Sequence, residues 1–341
     1  MTKHIGILGG GNISETHLRA AHEIEGLGVS AVCGQNQDKV KRLGEMCQAA
    51  VYSDLEAFLE HRPMDIVAIG SPSGLHAEQG IAAARKGLHV LVEKPIDVST
   101  ERADNLIAEC EKVGVKLGVF FQDRVAPDIV RLKELVESGR LGRPLLVSAH
   151  VRWHRPAEYY RDSRWRGTWA LDGGGALMNQ GVHTVDLLLW LLGDVRQVYA
   201  RTATLLPDIE VEDTAVVTLE FANGTLGMLE AATSAYPGYP RRIVLTGAGG
   251  TVRLEHDQVM AADLLSRRTE DAEVGERSQS PSASSPVVSD VRGHRKIMED
   301  FLDAIRNDRA PICDGREGRK SVELVQAIYQ SSRTGQPITL A

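Results

Sequence analysis

The sequence predicts an α/β N-terminal domain on a parallel sheet, residues 1–124, followed by an α+β domain with a mostly antiparallel open sheet, residues 125–341. Three observations carry this. Strand-like and helical runs alternate through the first 120 or so residues, the pattern of right-handed crossovers in a parallel sheet. A glycine turn joins the first strand to the first helix. From about Arg143 onward, strand-like runs follow one another with turn residues between them. At 341 residues the chain also exceeds the size at which one core usually divides.

The run His4-Ile5-Gly6-Ile7-Leu8 is a short apolar strand that ends in Gly9-Gly10-Gly11-Asn12-Ile13-Ser14. A helix follows, with Leu18, Ala21 and Ile24 on one face. Strand, glycine turn and helix in this order are the context of a Rossmann dinucleotide site. Gly9 permits the tight turn, Gly11 lets the backbone approach a pyrophosphate, and the helix N-terminus offers N–H groups to the phosphates. Ser14 stands where a third glycine or alanine is usual. Taken alone the motif is weak, because glycine turns also join strands to helices in proteins that bind nothing.

Further strand-like runs lie at 29–33, 66–69, 89–92 and 116–120, with helical stretches at 38–47, 75–86 and 100–113. Ligands sit at the carboxyl ends of such strands. Those ends carry Ser71-Pro72-Ser73, Glu93-Lys94-Pro95 and Gln122, with His76 a turn beyond the first group. The second strand ends Cys33-Gly34-Gln35-Asn36, without the carboxylate that binds the ribose of NAD. Lys39, Lys41 and Arg42 either meet a 2′-phosphate or form a solvated helix face, so the choice between NAD and NADP is open.

In the second half, β-rich runs at 195–205, 214–221, 225–233, 242–245 and 249–254 are separated by turns, one of them Asn223-Gly224, a hairpin signal. Residues 266–290, rich in Ser, Asp and Glu, read as an exposed loop, and helical stretches at 294–306 and 316–331 close the chain. Composition narrows the function. A formal charge of -7 argues against a nucleic-acid partner. The apolar run 185–192 is too short to span a bilayer, and no signal peptide is recognisable, so a cytoplasmic location is expected. Cys33, Cys47, Cys110 and Cys313 show no metal or disulfide spacing, and the histidines and acids match no metal motif.

By Glu93-Lys94-Pro95 the chain resembles the Gfo/Idh/MocA oxidoreductases, a family named after glucose–fructose oxidoreductase and inositol dehydrogenase among others. Trp165-Arg166-Gly167, the run from Gly173 to Met178, and Gly181-Val182-His183-Thr184-Val185-Asp186 extend the resemblance over nearly the whole sequence. It implies that Lys94 and His183 flank the nicotinamide and the reacting carbon of a sugar, sugar derivative or cyclitol. It further implies that Ser71, Pro72, His76, Glu93, Gln122, Trp165 and Arg166 join Gly9, Gly11, Asn12, Ile13, Gly34 and Gln35 around the cofactor. A homodimer or homotetramer is implied in the same way. Many members carry Asp four residues before the histidine, whereas this chain has Asn179. An amide positions a hydroxyl but cannot accept its proton, which shifts proton transfer onto Lys94 and His183.

Hydride transfer needs a held carbon donor, a base for the hydroxyl proton and stabilisation of the developing charge. Lys94 suits the last two tasks, since burial lowers a lysine's pKa toward neutrality. An imidazole suits general acid–base work near neutral pH, and His183 opens an apolar helix whose face Asn179 would share if the helix already includes it. Arg152, Trp153 and Tyr160, within an aromatic and basic cluster, are expected to contact the sugar or to serve an interface. The bland alternatives are a surface lysine and a core or capping histidine. Two further functions fit the fold: a glycosidase-type enzyme with transient oxidation by a held NAD, and a dinucleotide-sensing regulator that has no need of the acid–base pair.

Overall fold

A computed structural model describes residues 2–205, 208–266 and 290–340. The chain divides into two compact units, Met1–Gln122 with Val287–Val322, and Asp123–Pro286 with Glu323–Ala341.

In the first unit β1 (Lys3–Leu8), α1 (Asn12–His22), β2 (Leu27–Cys33), α2 (Gln37–Cys47), β3 (Ala50–Tyr52) and α3 (Leu55–Leu59) lead to β4 (Ile66–Ile69). Then come α4 (His76–Arg85), β5 (His89–Glu93), α5 (Thr100–Val113) and β6 (Leu117–Phe120). All strand pairs are parallel, in the order β3-β2-β1-β4-β5-β6, so the strand order reverses between β1 and β4. That reversal leaves a crevice beyond the strand ends, the place where open α/β sheets bind ligands. The central strands are buried on both faces, as the unbroken burial of Ile66–Ile69 shows.

In the second unit α6 (Pro127–Glu137) leads to β7 (Pro144–Arg152), α7 (Ala157–Arg161) and a π-helical turn at Ala176–Gly181, which runs straight into α8 (Val182–Leu192). The strands β8 (Val195–Ala203), β9 (Thr214–Phe221), β10 (Leu226–Ala232), β11 (Arg242–Gly247), β12 (Gly250–Glu255) and β13 (Gln258–Leu264) follow. With β14 (Ile338–Thr339) they form one sheet in the order β13-β12-β11-β7-β10-β9-β8-β14. Only β7 and β10 pair in parallel. Burial alternates along β9, so one face of the sheet is packed while the other presents Leu146, Val216 and Leu226 to solvent. The fold class therefore agrees with the sequence: a six-stranded parallel Rossmann sheet and a mixed, mostly antiparallel eight-stranded one.

Several elements escaped the sequence. β3, α3, β7 and β13 were not expected, and the stretch at 75–86 begins as a 3-10 turn before α4. The expected loop at 266–290 lies almost wholly outside the described residues. One boundary needs correcting. Residues 287–322, assigned by the sequence to the second domain, pack with the first unit. There α9 (Arg292–Arg306) lays Phe301 against Gly118 of β6, where a Cβ would come within 2.8 Å of the phenyl ring. Likewise the first turns of α10 (Gly315–Thr334) press Gly318 against Val119.

At the head of the second unit, Arg124 donates from Nε and Nη2 to both carboxylate oxygens of Asp186 on α8, at 2.9 and 2.6 Å. Both side chains are 1% exposed, and Trp190 covers the guanidinium. Asp186 is thus an anchor for α8. Removing one partner of such a pair strands a buried charge and costs about 3–5 kcal/mol. Asp186→Ala is expected to shift the urea unfolding transition by that amount, and a shift below about 1 kcal/mol would show that the pair does not hold the helix.

Candidate active site

Gly9, with φ +148°, turns the chain out of β1, and a Cβ there would lie 2.4 Å from Ser14 Oγ and 2.8 Å from the carbonyl of Gly70. At Gly34, at the end of β2, a Cβ would sit 1.9 Å from the carbonyl oxygen of Gly9. These two glycines let adjacent βα turns touch backbone to backbone. Gly11 differs: it precedes α1, no side chain caps that helix, and nothing stands within 4 Å of the place its Cβ would take. Asn12 is exposed and Ile13 half-buried beside it. An uncapped helix N-terminus behind an unobstructed glycine fits a dinucleotide phosphate. Beyond β2, Gln35 is exposed, Asn36 caps α2 by accepting from the Lys39 N–H, and Gln37 donates to the Gly34 carbonyl.

Glu93 ends β5 and is buried. Its Oε1 accepts from Nε2 of His17 at 2.8 Å and lies 3.3 Å from Nε2 of His294, while Oε2 accepts from the Lys94 N–H at 3.2 Å. Burial alone would raise the pKa of this carboxyl, but the hydrogen bonds and charges of the two histidines outweigh it and hold Glu93 well below the usual carboxylate range. Burial pushes His17 the other way, below the ordinary histidine value. The His17 ring stacks on Phe120 at 4.5 Å.

His17, Glu93 and His294 place three ligand-type atoms within 4.8 Å of one another. Neither histidine offers its Nδ1 to a partner. Glu93 is turned into the core of its unit, and what it orients is the backbone of half-buried Lys94.

His76 holds the neighbouring turns together: Nδ1 meets the Pro95 carbonyl at 2.9 Å and Nε2 the Ser71 carbonyl at 3.0 Å. Burial lowers its pKa as well. Ser71 donates to Gln79, Pro72 is half-buried at the same turn, and Gln122 lies under Gly293 of α9.

In the second unit the structure exposes a set of polar partners that the sequence reading missed. Asn179 does not pair along a regular helix face with His183, because it belongs to the π-helical turn. Its Nδ2 donates to Asp172 Oδ1 at 2.5 Å, and its Oδ1 accepts from Gln180 Nε2 at 3.1 Å. Asp172 also accepts from the Gly167 N–H, while Gln180 accepts from Arg155 and donates to Tyr159 Oη. The amide of Asn179 is thus oriented from both ends, with a buried carboxylate behind it.

The turn itself is clamped by Glu212, which accepts from the Gly175 and Leu177 N–H groups and from Tyr329 Oη. Burial raises the Glu212 pKa in spite of those donors. Gly174 and Gly175 pack against Tyr329 and the Glu212 backbone. Asp172 directly precedes the glycine run, the one sequence signal that would have drawn attention to it.

The aromatic cluster separates. Arg152 pairs with Glu230 on the solvent side of β7, so its guanidinium belongs to the sheet surface. Tyr160 is buried and donates to Thr233, its pKa pushed up to about 12 by burial. Trp153 lies under Arg155, while Arg166 stacks on Tyr159 at 4.1 Å and on Trp165 at 5.3 Å. His183 opens α8 with Nδ1 3.8 Å from Asp123 Oδ2.

The NAD-binding Rossmann fold of the GFO/IDH/MocA oxidoreductases matches residues 3–121, and the C-terminal domain of the same family matches residues 129–253. The chain belongs to the Gfo/Idh/MocA family. Its family cofactor is a nicotinamide dinucleotide, and the glycine geometry around Gly9 and Gly11 suits one. A curated inositol 2-dehydrogenase from Saccharopolyspora erythraea is 30% identical, covering 100% of this chain and 97% of its own. A myo-inositol 2-dehydrogenase from Thermotoga maritima is 29% identical over 96% of this chain and 95% of its own. Among solved structures, the WlbA dehydrogenase of Bordetella pertussis with NADH and UDP-GlcNAcA is 34% identical, with a TM-score of 0.90, covering 100% of this chain and 99% of that one. Among the described residues no helix is long and apolar enough to cross a membrane.

Two outcomes follow from this geometry. Gly34→Ala is expected to lower the melting temperature sharply through its backbone clash, while Gly11→Ala keeps that temperature yet weakens NADH binding at least about tenfold, or 1.4 kcal/mol. Calorimetry and cofactor titration separate the two, and unchanged affinity in Gly11→Ala would remove the phosphates from this turn. Secondly, His17 and His76 have lowered pKa values, so the unfolded chain takes up protons that the folded one refuses. Stability present above about pH 6.5 should fall as the pH drops below it. A melting temperature that stays level from pH 7.5 to 5.5 would contradict this.

Proposed function

We propose that this NAD(P)-dependent oxidoreductase transfers hydride from a CH–OH carbon of a sugar, sugar derivative or cyclitol. The observation that carries the reading is the presence of Lys94 and His183, each beside a buried carboxylate: Glu93 accepts from the Lys94 backbone N–H, and Asp123 lies 3.8 Å from the His183 ring. A dinucleotide sensor needs the glycine turn but neither of these supports.

Nicotinamide, when bound, takes the hydride from the substrate carbon. In this reading the ammonium of Lys94 hydrogen-bonds the substrate oxygen and stabilises its developing negative charge, and His183 accepts the hydroxyl proton. Asn179, with its amide fixed between Asp172 and Gln180, orients a neighbouring hydroxyl by hydrogen bonding. Arg166 stacks on Tyr159 and on Trp165, and we assign Trp165 and Arg166 to cofactor contact from the family resemblance.

The narrower substrate class we favour is a nucleotide-linked sugar acid. Its support is the WlbA dehydrogenase with NADH and UDP-GlcNAcA, matched over the full length of both chains at an identity above that of the inositol enzymes.

The test is absorbance of reduced nicotinamide with NAD and NADP against UDP-sugars, UDP-sugar acids, free sugars and inositols. Turnover is expected to be best with a UDP-linked acid. Lys94→Met and His183→Asn should each lower kcat by about 10²–10⁴ while NADH still binds. Turnover restricted to inositols or free sugars would overturn the nucleotide-sugar assignment. Full turnover in Lys94→Met would overturn the catalytic reading itself.

A further inference from the structure

Asp123 begins the second unit in a 3-10 turn, Gln122–Val125, directly before the arginine that anchors α8. No sequence motif marks it. It is buried, and its Oδ2 is shared between Nδ1 of His183, 3.8 Å away, and Nη1 of Arg241, which donates to it. Arg241 is itself buried; its Nη2 donates to the Asp257 carboxylate and, at 2.9 Å, to the His256 carbonyl. Two carboxylates facing one guanidinium leave a formal charge of about −1 beside the imidazole, which a proton on His183 would neutralise.

We propose that Asp123 is the positioning residue for His183: anchored by Arg241, its carboxylate faces the Nδ1 edge of the ring at ion-pair distance and stabilises the imidazolium that forms when the substrate hydroxyl is deprotonated. This rests on the reading of His183 as the acid–base residue. A ring whose Nδ1 edge faces this carboxylate has Nε2 on its opposite edge, as a base needs. No bond to the substrate passes through Asp123. The proton goes from the hydroxyl to His183, and the carboxylate keeps its charge throughout.

The other charged groups on elements packed against α8 are engaged elsewhere. Asp186 is bound by Arg124, Lys133 of α6 donates to the Trp190 carbonyl, and Asp128 of α6 accepts from the Val259 N–H. On β7, Arg152 pairs with Glu230, and burial lowers the pKa of His150. Asp172 reaches the π-helical turn only through Asn179 and Gly167. Asp123, with Arg241 and Asp257 behind it, is the carboxylate that stands at ion-pair distance from the His183 ring.

The test is an NMR titration of the His183 ring in the native protein, Asp123→Asn, Asp123→Glu and Asp257→Asn, with the resonance assigned through His183→Asn. The pH profile of kcat/KM for oxidation is measured alongside. Asp123→Asn is expected to lower the His183 pKa by about one unit or more. The acid limb of the profile should move to lower pH by the same amount, with kcat down at least about tenfold and KM within about threefold. Asp123→Glu should restore the limb. Asp257 is half-exposed, so Asp257→Asn should shift the ring much less. A ring and limb that stay put in Asp123→Asn while activity falls would overturn the proposal, as would an equal shift in Asp257→Asn. Full turnover in His183→Asn would instead defeat the acid–base reading, and the titration would still judge the contact between Asp123 and the ring.

Discussion

The first unit depends on one buried carboxylate. Glu93 stands where β5 ends, and three elements converge on it: His17 from α1, His294 from α9, and the backbone N–H of Lys94. An ionised group so far from water survives only because those contacts replace its hydration. In return it fixes distant parts of the unit against one another. The first helix, the strand end that carries the lysine, and the helix that returns from the far end of the sequence all meet at this residue. The glycine contact between Gly9 and Gly34 adds a second constraint, because the two βα turns fit together only without side chains.

The second unit solves a similar problem with different chemistry. The π-helical turn before α8 breaks the regular hydrogen-bond ladder, and π-helical turns often occur at functional sites. Glu212 and Tyr329 secure that break from beneath, and a string running from Arg155 through Gln180 and Asn179 to Asp172 secures it from the side. With an amide at 179, the turn still has a carboxylate beside it: Asp172 lies one hydrogen bond back, where it orients that amide.

How much of this was legible follows from distance along the chain. The glycine turn, the Glu93-Lys94-Pro95 strand end and the Asn223-Gly224 hairpin are local, so adjacent residues declare them. β3 is three residues long and carries no period to detect, and the polar and aromatic residues around Arg152 obscured the alternation of β7. The site partners were hidden for another reason. Asp172 and Asn179 are separated by the glycine run, Asp123 and Arg241 by most of a domain, and Glu212 and Tyr329 by more than a hundred residues. An acid's role is set by what folding brings beside it, and sequence spacing carries little of that information. The same holds for α9: its amphipathic pattern announced a helix but not the sheet it would cover.

The return of residues 287–322 to the first unit bears on how this architecture can be recombined. A cofactor module cut from the chain near residue 124 would leave Gly118 without Phe301 and Glu93 with one imidazole instead of two. The transferable piece is discontinuous, with its two parts separated along the chain by β7 to β13, and the second unit resumes after it at Glu323. Exchange of substrate specificity within such a scaffold then needs new sequence on both sides of the returning segment, and three junctions must be kept.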